Sequence, residues 1–300
     1  IPDGLDCILL KEKVKETNGK IFYINQNIKK GEYIRKKGLN FKKNDLLIRK
    51  NHIITSRDIG IITSANYSNI KVYKKPIVSV LSTGNELRNA GKKIGNSLII
   101  SSNSSTLGSL IKSAGGKFID LGIAKDNKAS LKLKILKSKG SDILLTSGGI
   151  SVGEHDLVQS TLIELGMKVI FWKIAIRPGK PVLVARMGET IIVGLPGNPV
   201  SAFVTSYLIV RAVIRCLNGE ETELPDGFPV PLATSISKPE HLRCFLRARY
   251  EGGKVTAYHD QSSNLYSSLT QANGLIDLPV GKSSAEKGET VIFRPFSLFS

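Results

Sequence analysis

Cysteine is nearly absent from this chain: Cys7, Cys216 and Cys244 lie far apart in 300 residues and are never spaced as CxxC. That excludes a disulfide framework or a cysteine-rich zinc site and favours a reducing compartment, the cytoplasm. Aromatic residues make up only 6% of the chain, too few for the stacking platforms of single-strand nucleic-acid binders. No run approaches the ~20 consecutive apolar residues of a membrane span. No charged start followed by an apolar core reads as a signal peptide. Walker A, HExxH and GxGxxG motifs are also missing. Acidic residues are outnumbered, 25 against 43 Lys plus Arg, giving a formal net charge of +18. Such a charge points either to an anionic partner or to lysines spread over solvated faces, as on the basic helical stretch 128–139. The chain opens at Ile1 without a methionine and runs straight into strand-like sequence, so it is expected to be a fragment.

What is present indicates an α/β protein. Residues 1–50 carry short strand-like runs at 7–10, 20–24 and 45–48 between polar turns, the remainder of an N-terminal β domain. A helix at 56–65 and an extended link fill 51–75. Residues 76–219 alternate strands (77–82, 118–123, 142–145, 169–176, 182–186, 191–193) with helices (103–114, 129–138, 157–165, 199–218). Continuous apolar strands between helices predict a central, mostly parallel sheet covered on both faces. After an acidic linker, 220–300 returns to strands as a C-terminal β domain.

In an open parallel sheet, ligands bind beyond the carboxyl ends of the strands. Three glycine-bearing turns follow strands here: Ser82-Thr83-Gly84-Asn85-Glu86-Leu87, the run 146–156 from Thr146 to Asp156, and Gly194-Leu195-Pro196-Gly197-Asn198-Pro199. Glycine permits close backbone approach, and helix N-termini offer unpaired N–H groups to an anion. With Arg177-Pro178-Gly179-Lys180 nearby, the pattern predicts a site for a small, strongly anionic ligand. Gly149-Ile150-Ser151-Val152-Gly153 matches the GxSxG nucleophile elbow, but Gly148-Gly149 intervene after the strand and Glu154-His155-Asp156 separate Ser151 from the helix. A serine hydrolase is therefore disfavoured. Asp156 reads either as a site residue or as the N-cap of the next helix. Glu86 and Asp142 could each ligate a cation or orient substrate, and Asp142 could equally be an ordinary residue starting a strand.

These turns, with Phe171-Trp172-Lys173-Ile174-Ala175-Ile176-Arg177-Pro178-Gly179-Lys180-Pro181, resemble the molybdopterin molybdenumtransferases, a family to which the C-terminal domain of gephyrin is also similar. Flanking runs agree: Ile1-Pro2-Asp3-Gly4-Leu5-Asp6-Cys7, the stretch 27–35, Gln261-Ser262-Ser263 and Gln271-Ala272-Asn273-Gly274-Leu275. The resemblance implies insertion of molybdate into adenylylated molybdopterin, with Mg²⁺ and release of AMP. It implies catalytic roles for Asp156, Asp142 and Glu86, with Glu86 and Asp142 as metal carboxylates. Molybdate and pterin would be held by Thr83, Gly84, Ser147, Gly148, Gly149, Ser151, Gly153, Lys173, Arg177, Lys180, Pro196, Gly197, Asn198, Pro199, Arg247 and Ser263. It further implies a homodimer, a site shared between subunits, possible contact with the molybdopterin adenylyltransferase, and no nucleic-acid or membrane partner. Two departures stand out: Gly38-Leu39-Asn40 replaces a commonly acidic run, and Arg177 stands where lysine is common. The family's chain begins well before Ile1. Competing readings are a gephyrin-like scaffold, the adenylyltransferase step and a basic nucleic-acid binder; retained acidic residues favour the transferase over the scaffold.

Overall fold

The computed structural model describes residues 1–23, 29–149, 157–221 and 224–296, which fall into two compact units, Ile1–Ile70 and Lys71–Ser300. In the first unit, β1 (Val14–Thr17) pairs antiparallel with β2 (Lys20–Tyr23). Asn18 and Gly19 make the turn with φ of 52° and 69°, the doubly left-handed geometry that suits a two-residue hairpin. Helix α1 (Ser56–Ser64) starts where the Asp58 carboxylate reaches back to the Thr55 N–H. The runs 7–10 and 45–48, expected as strands, form none, because no neighbouring strand offers them a ladder. Ile62 is the one buried apolar side chain among the described residues of this unit.

The second unit opens with β3 (Ile77–Thr83), a short parallel pair β4 (Leu87–Arg88) and β5 (Ile99–Ile100), then α2 (Asn103–Ser113). It continues through β6 (Lys117–Ala124), α3 (Lys128–Leu136), β7 (Ile143–Ser147), α4 (Leu157–Glu164), β8 (Lys168–Trp172) and β9 (Ile176–Arg177). Next come β10 (Leu183–Met187), β11 (Thr190–Leu195) and one long helix made of α5 (Pro199–Thr205), a π-helical turn over Ser206–Val210 and α6 (Arg211–Leu217). Six strands form one sheet in the order β6-β3-β7-β11-β10-β8. Strands β6, β3, β7 and β11 are mutually parallel. β10 is antiparallel to both its neighbours, so β8 runs with the parallel set.

Alternation explains why these strands read as unbroken apolar runs. Val78, Val80, Ile143 and Leu145 face one helical layer with Leu107, Ile111 and Ile214; Leu81 and Leu144 face the other with Leu131, Ile135 and Leu162. Both faces are covered, so both parities are mostly apolar, and the buried Ser79 hydroxyl is paired with that of Ser141. The helix running from Pro199 to Leu217 is long and apolar enough by length and composition to span a bilayer. Its apolarity has a local cause: Val210 and Ile214 enter the core beneath the sheet, while Val200, Val204 and Leu208 enter a second core with Phe245 and Leu275.

The run 169–176, expected as one strand, is two. It stops at Trp172, because Lys173 adopts φ of 67° and turns the chain out of the sheet. Ile176 and Arg177 then pair in parallel with Arg243 and Cys244 of the C-terminal sheet. That sheet contains β12 (Phe228–Pro231), β14 (Arg243–Glu251), β15 (Lys254–Ala257), β16 (Gly274–Leu278) and β18 (Thr290–Pro295) in the order β12-β18-β16-β14-β15. Beside it lie the small pair β13 (Ile236–Ser237) and β17 (Ser284–Ala285), and helix α7 (Tyr266–Gln271).

Candidate functional site

The parallel ladder delivers the glycine turns to one place. Ser82 pairs with Ser147 and Ser147 with Leu195, so β3, β7 and β11 end level with each other. Beyond those ends lies a cleft of about 630 Å³. Its wall includes Thr83, Gly84 and Glu86 after β3, Ser147, Gly148 and Gly149 after β7, and Gly197, Asn198 and Pro199 after β11. Ser102 and Asn103 at the start of α2, Asp126 after β6 and Asn264 of the C-terminal domain add polar groups, and Leu87, Ile99 and Ile100 of β4 and β5 add an apolar side.

Glycine is required where this wall is tightest. A Cβ on Gly149 would lie 2.2 Å from Val158 Cγ2, and one on Gly148 would lie 3.0 Å from the Thr83 carbonyl oxygen. The Glu86 carboxylate folds back over Gly84, where a Cβ would lie 2.6 Å from Oε1. Thr83 is buried, and its hydroxyl has no hydrogen-bond partner among the described residues. A buried, unsatisfied hydroxyl at a cleft wall is a group waiting for a ligand or water.

One side chain ties the turns together. Asn103 Nδ2 donates to Ser147 Oγ at 2.7 Å and to the Gly197 carbonyl at 2.8 Å. On the opposite rim, Asn198 Nδ2 donates to Ser263 Oγ at 2.9 Å, and the Val200 N–H donates to the Ser263 carbonyl at 3.3 Å. Sequence reading missed Asn103 and Asp126. Asp126 is held by a reciprocal pair: the Asn85 N–H donates to its Oδ2 at 3.0 Å, and its own N–H donates to Asn85 Oδ1 at 3.2 Å. The rule that singled out strand ends would have found Asp126, two residues beyond β6, but its turn carries no glycine.

Several expected residues stand elsewhere. Asp142 precedes β7 and so sits at the amino edge of the sheet, where its Oδ2 accepts from the Ile77 N–H at 2.7 Å. Six residues of strand separate that level from Thr83, roughly 20 Å. The structure therefore does not bring Glu86 and Asp142 together as a metal pair; Asp142 ties two strand starts. Lys173, Arg177 and Lys180 are exposed on the 173–181 segment, with the Lys173 ammonium 4.1 Å from the centre of the Trp172 ring. Pro196 is half-buried in the turn after β11. Arg247 is fully buried; its Nη2 donates to the Asp260 carbonyl at 3.0 Å, and its Nε has no partner among the described residues. Burial pushes the Arg247 guanidinium down from its ordinary value, with Asp260 opposing. Ser151, Gly153 and Asp156 lie outside the described residues.

The electrostatics of the cleft differ from expectation. Among the described residues of its wall there are two carboxylates, Glu86 and Asp126, and no lysine or arginine. The Gly84 N–H donates to the Ala124 carbonyl and the Gly148 N–H to the Leu195 carbonyl, so neither remains for an anion. At these two positions glycine secures close approach of strand ends, and its N–H stays within the sheet. An anion entering such a cleft needs a cation beside it.

A carboxylate-bearing cleft at the carboxyl edge of a mostly parallel sheet places the chain among the open-sheet α/β proteins, whose ligands bind beyond the strand ends. Residues 79–215 match the family described as "Probable molybdopterin binding domain". Residues 1–66 match "MoeA N-terminal region (domain I and II)", and 229–296 match "MoeA C-terminal region (domain IV)". A molybdopterin molybdenumtransferase of Haemophilus influenzae is 33% identical over 304 residues, covering 99% of this chain and 75% of the relative. One from Nostoc is 32% identical, covering 97% and 69%. A crystal structure of the molybdopterin biosynthesis MoeA protein of Pyrococcus horikosii superposes with a TM-score of 0.81 at 30% identity, covering 97% of this chain and 72% of that one. The chain belongs to the molybdopterin molybdenumtransferases, a family of transferases.

Proposed function

We propose that this chain inserts molybdate into adenylylated molybdopterin in molybdenum-cofactor synthesis, releasing AMP, at the cleft beyond β3, β7 and β11. The observation that carries the reading is the wall itself: hydroxyls, amides and two carboxylates beside the apolar Leu87, Ile99 and Ile100, with no basic side chain among the described residues, facing a space of about 630 Å³. Molybdate and a pterin joined to AMP through pyrophosphate are both anions, so carboxylates alone would repel them. A divalent cation resolves the conflict. Mg²⁺ keeps several waters and binds through one or two carboxylates plus substrate phosphates rather than through a full protein cage. Glu86 and Asp126 would hold the ion, and bound there it would neutralise phosphate charge.

The protein's own part is positioning. Thr83, Ser147 and Asn198 present hydroxyl and amide groups to the ligand, and Asn103 fixes the spacing of two turns. Lys173, Arg177 and Lys180 supply positive charge from the 173–181 segment. Asp156, Ser151 and Gly153 join the site by family motif. Holding reactants in register accounts for much of the rate where little covalent chemistry is asked of the protein.

The reading extends to assembly and place. Apolar side chains left uncovered on the first unit, such as Ile21, Leu39 and Leu46, and on β8, such as Val169 and Ile170, support a homodimer. The partner enzyme in the pathway would be the adenylyltransferase that makes the substrate, and the location cytoplasmic. The decisive experiment incubates the protein with adenylylated molybdopterin, Mg²⁺ and molybdate. AMP release is expected only when all three are present, and Glu86→Gln or Asp126→Asn should raise the Mg²⁺ concentration needed. Release that ignores molybdate, or no release at all, would overturn the assignment.

A further inference from the structure

The segment 173–181 carries three cations but is no free loop. At its base the Lys173 N–H donates to the Val182 carbonyl at 2.9 Å, and the Ile174 N–H donates to the Lys180 carbonyl at 3.0 Å. On one side it joins the C-terminal sheet, where Ile176 and Arg177 pair with Arg243 and Cys244 and the Arg243 N–H donates to the Ala175 carbonyl at 2.9 Å. On the other it rests on α5. Ile176 packs against the core of Val200, Val204, Leu208 and Phe245. Gly179 is buried with φ of 108°, so close to the helix that a Cβ there would lie 2.3 Å from Thr205 Oγ1. Thr205 is itself fully buried, and that hydroxyl has no hydrogen-bond partner among the described residues.

The contact has a geometric consequence. Thr205 stands six residues along the helix that begins at Pro199, a residue of the cleft wall. At 1.5 Å of rise per residue, Gly179 is seated about 9 Å along the axis from that rim. The sheet edge, the C-terminal strand and α5 thus fix the segment at three places, and Gly179 is the contact that admits no side chain. We propose that Gly179 is a positioning residue: its bare α-carbon, seated on Thr205, sets where Arg177 and Lys180 stand relative to the 197–199 rim.

This rests on the reading that those cations meet the phosphate end of the substrate, and the test separates the two ideas. Gly179→Ala, Thr205→Ala and the double variant are made in the full chain. Binding of inorganic pyrophosphate is measured by calorimetry, and protection of the Ile174 and Arg243 amides by hydrogen exchange. Gly179→Ala should weaken pyrophosphate binding about tenfold and expose both amides, since a small misplacement of a binding group is costly. In the double variant the neighbour at 2.3 Å is gone and the next Thr205 atom, Cβ, lies 3.6 Å away. Binding and protection should then return to within about threefold of the parent protein. The left-handed backbone strain of an alanine at 179 is the same in both variants, so it cancels between them. The melting temperature therefore stays lowered in the double variant while binding recovers, a split that a purely structural role would not give. A double variant no better than Gly179→Ala, or a Gly179→Ala protein that binds and protects normally, would overturn the proposal. If the parent protein fails to bind pyrophosphate, the functional reading fails, and recovery of amide protection still decides the seat.

Discussion

The two units of this chain spend their apolar residues in opposite ways. In Lys71–Ser300 the strands bury both parities, and Val78, Val80, Leu81, Ile143, Leu144 and Leu145 are all sealed from solvent. In Ile1–Ile70, Ile62 is buried, while Leu46 is 74% exposed, Ile21 66% and Leu39 65%. A unit this small has little interior, and the hydrophobic effect can stabilise it only where apolar surface leaves water. The difference separates two kinds of sequence: one that specifies its own core, and one whose apolar residues await a second surface. β8 of the larger unit is of the second kind at its edge, with Ile170 63% exposed.

The largest test of that contrast is to express the units apart. Residues 71–300 should unfold cooperatively by heat or denaturant, since their cores are complete. Residues 1–70 should show no cooperative transition on their own. A sharp melt of the small unit would break the comparison, because it would require a core that the structure does not show.

The same contrast explains what could be read from the sequence. Helices α1, α2 and α4 were placed to within a few residues, and the mixed α/β order of 76–219 was legible, because burial on both sheet faces leaves an unmistakable apolar run. The runs 7–10 and 45–48 looked equally strand-like, but a strand needs a neighbour, and pairing is a property of the fold rather than of the run. The break at Lys173 was hidden because lysine gives no warning of a left-handed conformation. The three glycine turns converge as expected. What the sequence hid at the site was direction: a carboxylate before a strand lies at the amino edge and one after it at the carboxyl edge, so Asp126 lines the cleft and Asp142 stands at the other end of the sheet. Asn103 was invisible for another reason, since a side chain bridging two turns that lie 44 and 94 residues away leaves no local pattern.

Within the larger unit, the tie at Asn103 should matter more to activity than to stability. Asn103→Asp replaces a double donor by a carboxylate facing the Gly197 carbonyl, so the bridge to Gly197 is lost, while the Ser147 hydroxyl can still donate to the new side chain. Turnover is expected to fall by about a hundredfold, the scale of a misplacement near 1 Å. The melting temperature should move little, because a net hydrogen bond is worth only about 0.5–1.5 kcal/mol. Equal losses in both would make Asn103 a packing residue instead. The next effect in size falls on stability. Gly149→Ala forces a methyl against Val158, and such overpacking costs about 1–3 kcal/mol. Denaturant unfolding of the full chain reads it directly, and an unchanged midpoint would mean that the turn after β7 yields freely.

The smallest effect belongs to the small unit, and acid should reveal it. The Asp58 carboxylate accepts from the Thr55 N–H at 2.7 Å, from the Thr55 hydroxyl at 2.7 Å and from His52 Nε2 at 3.0 Å. Chiefly through the two Thr55 bonds, its pKa falls from 3.8 to about 2. A carboxylate with a depressed pKa favours the folded helix wherever it is ionised in both states, so its contribution is complete above 3.8 and vanishes as the pH drops through 2. It sits in the first turn of α1, where negative charge also meets the positive end of the helix. The side chain is half-buried at the surface, so solvent still reaches and screens it and the effect stays modest. Because the unit has little core of its own, global melting is the wrong readout; protection of the α1 amides against hydrogen exchange in the full chain is the right one. Asp58→Asn should lower that protection near neutrality, and the gap between variant and parent should close as the pH falls from 4 towards 2. A gap of constant size across that range would show that Asp58 holds the helix by shape, and that its charge plays no part.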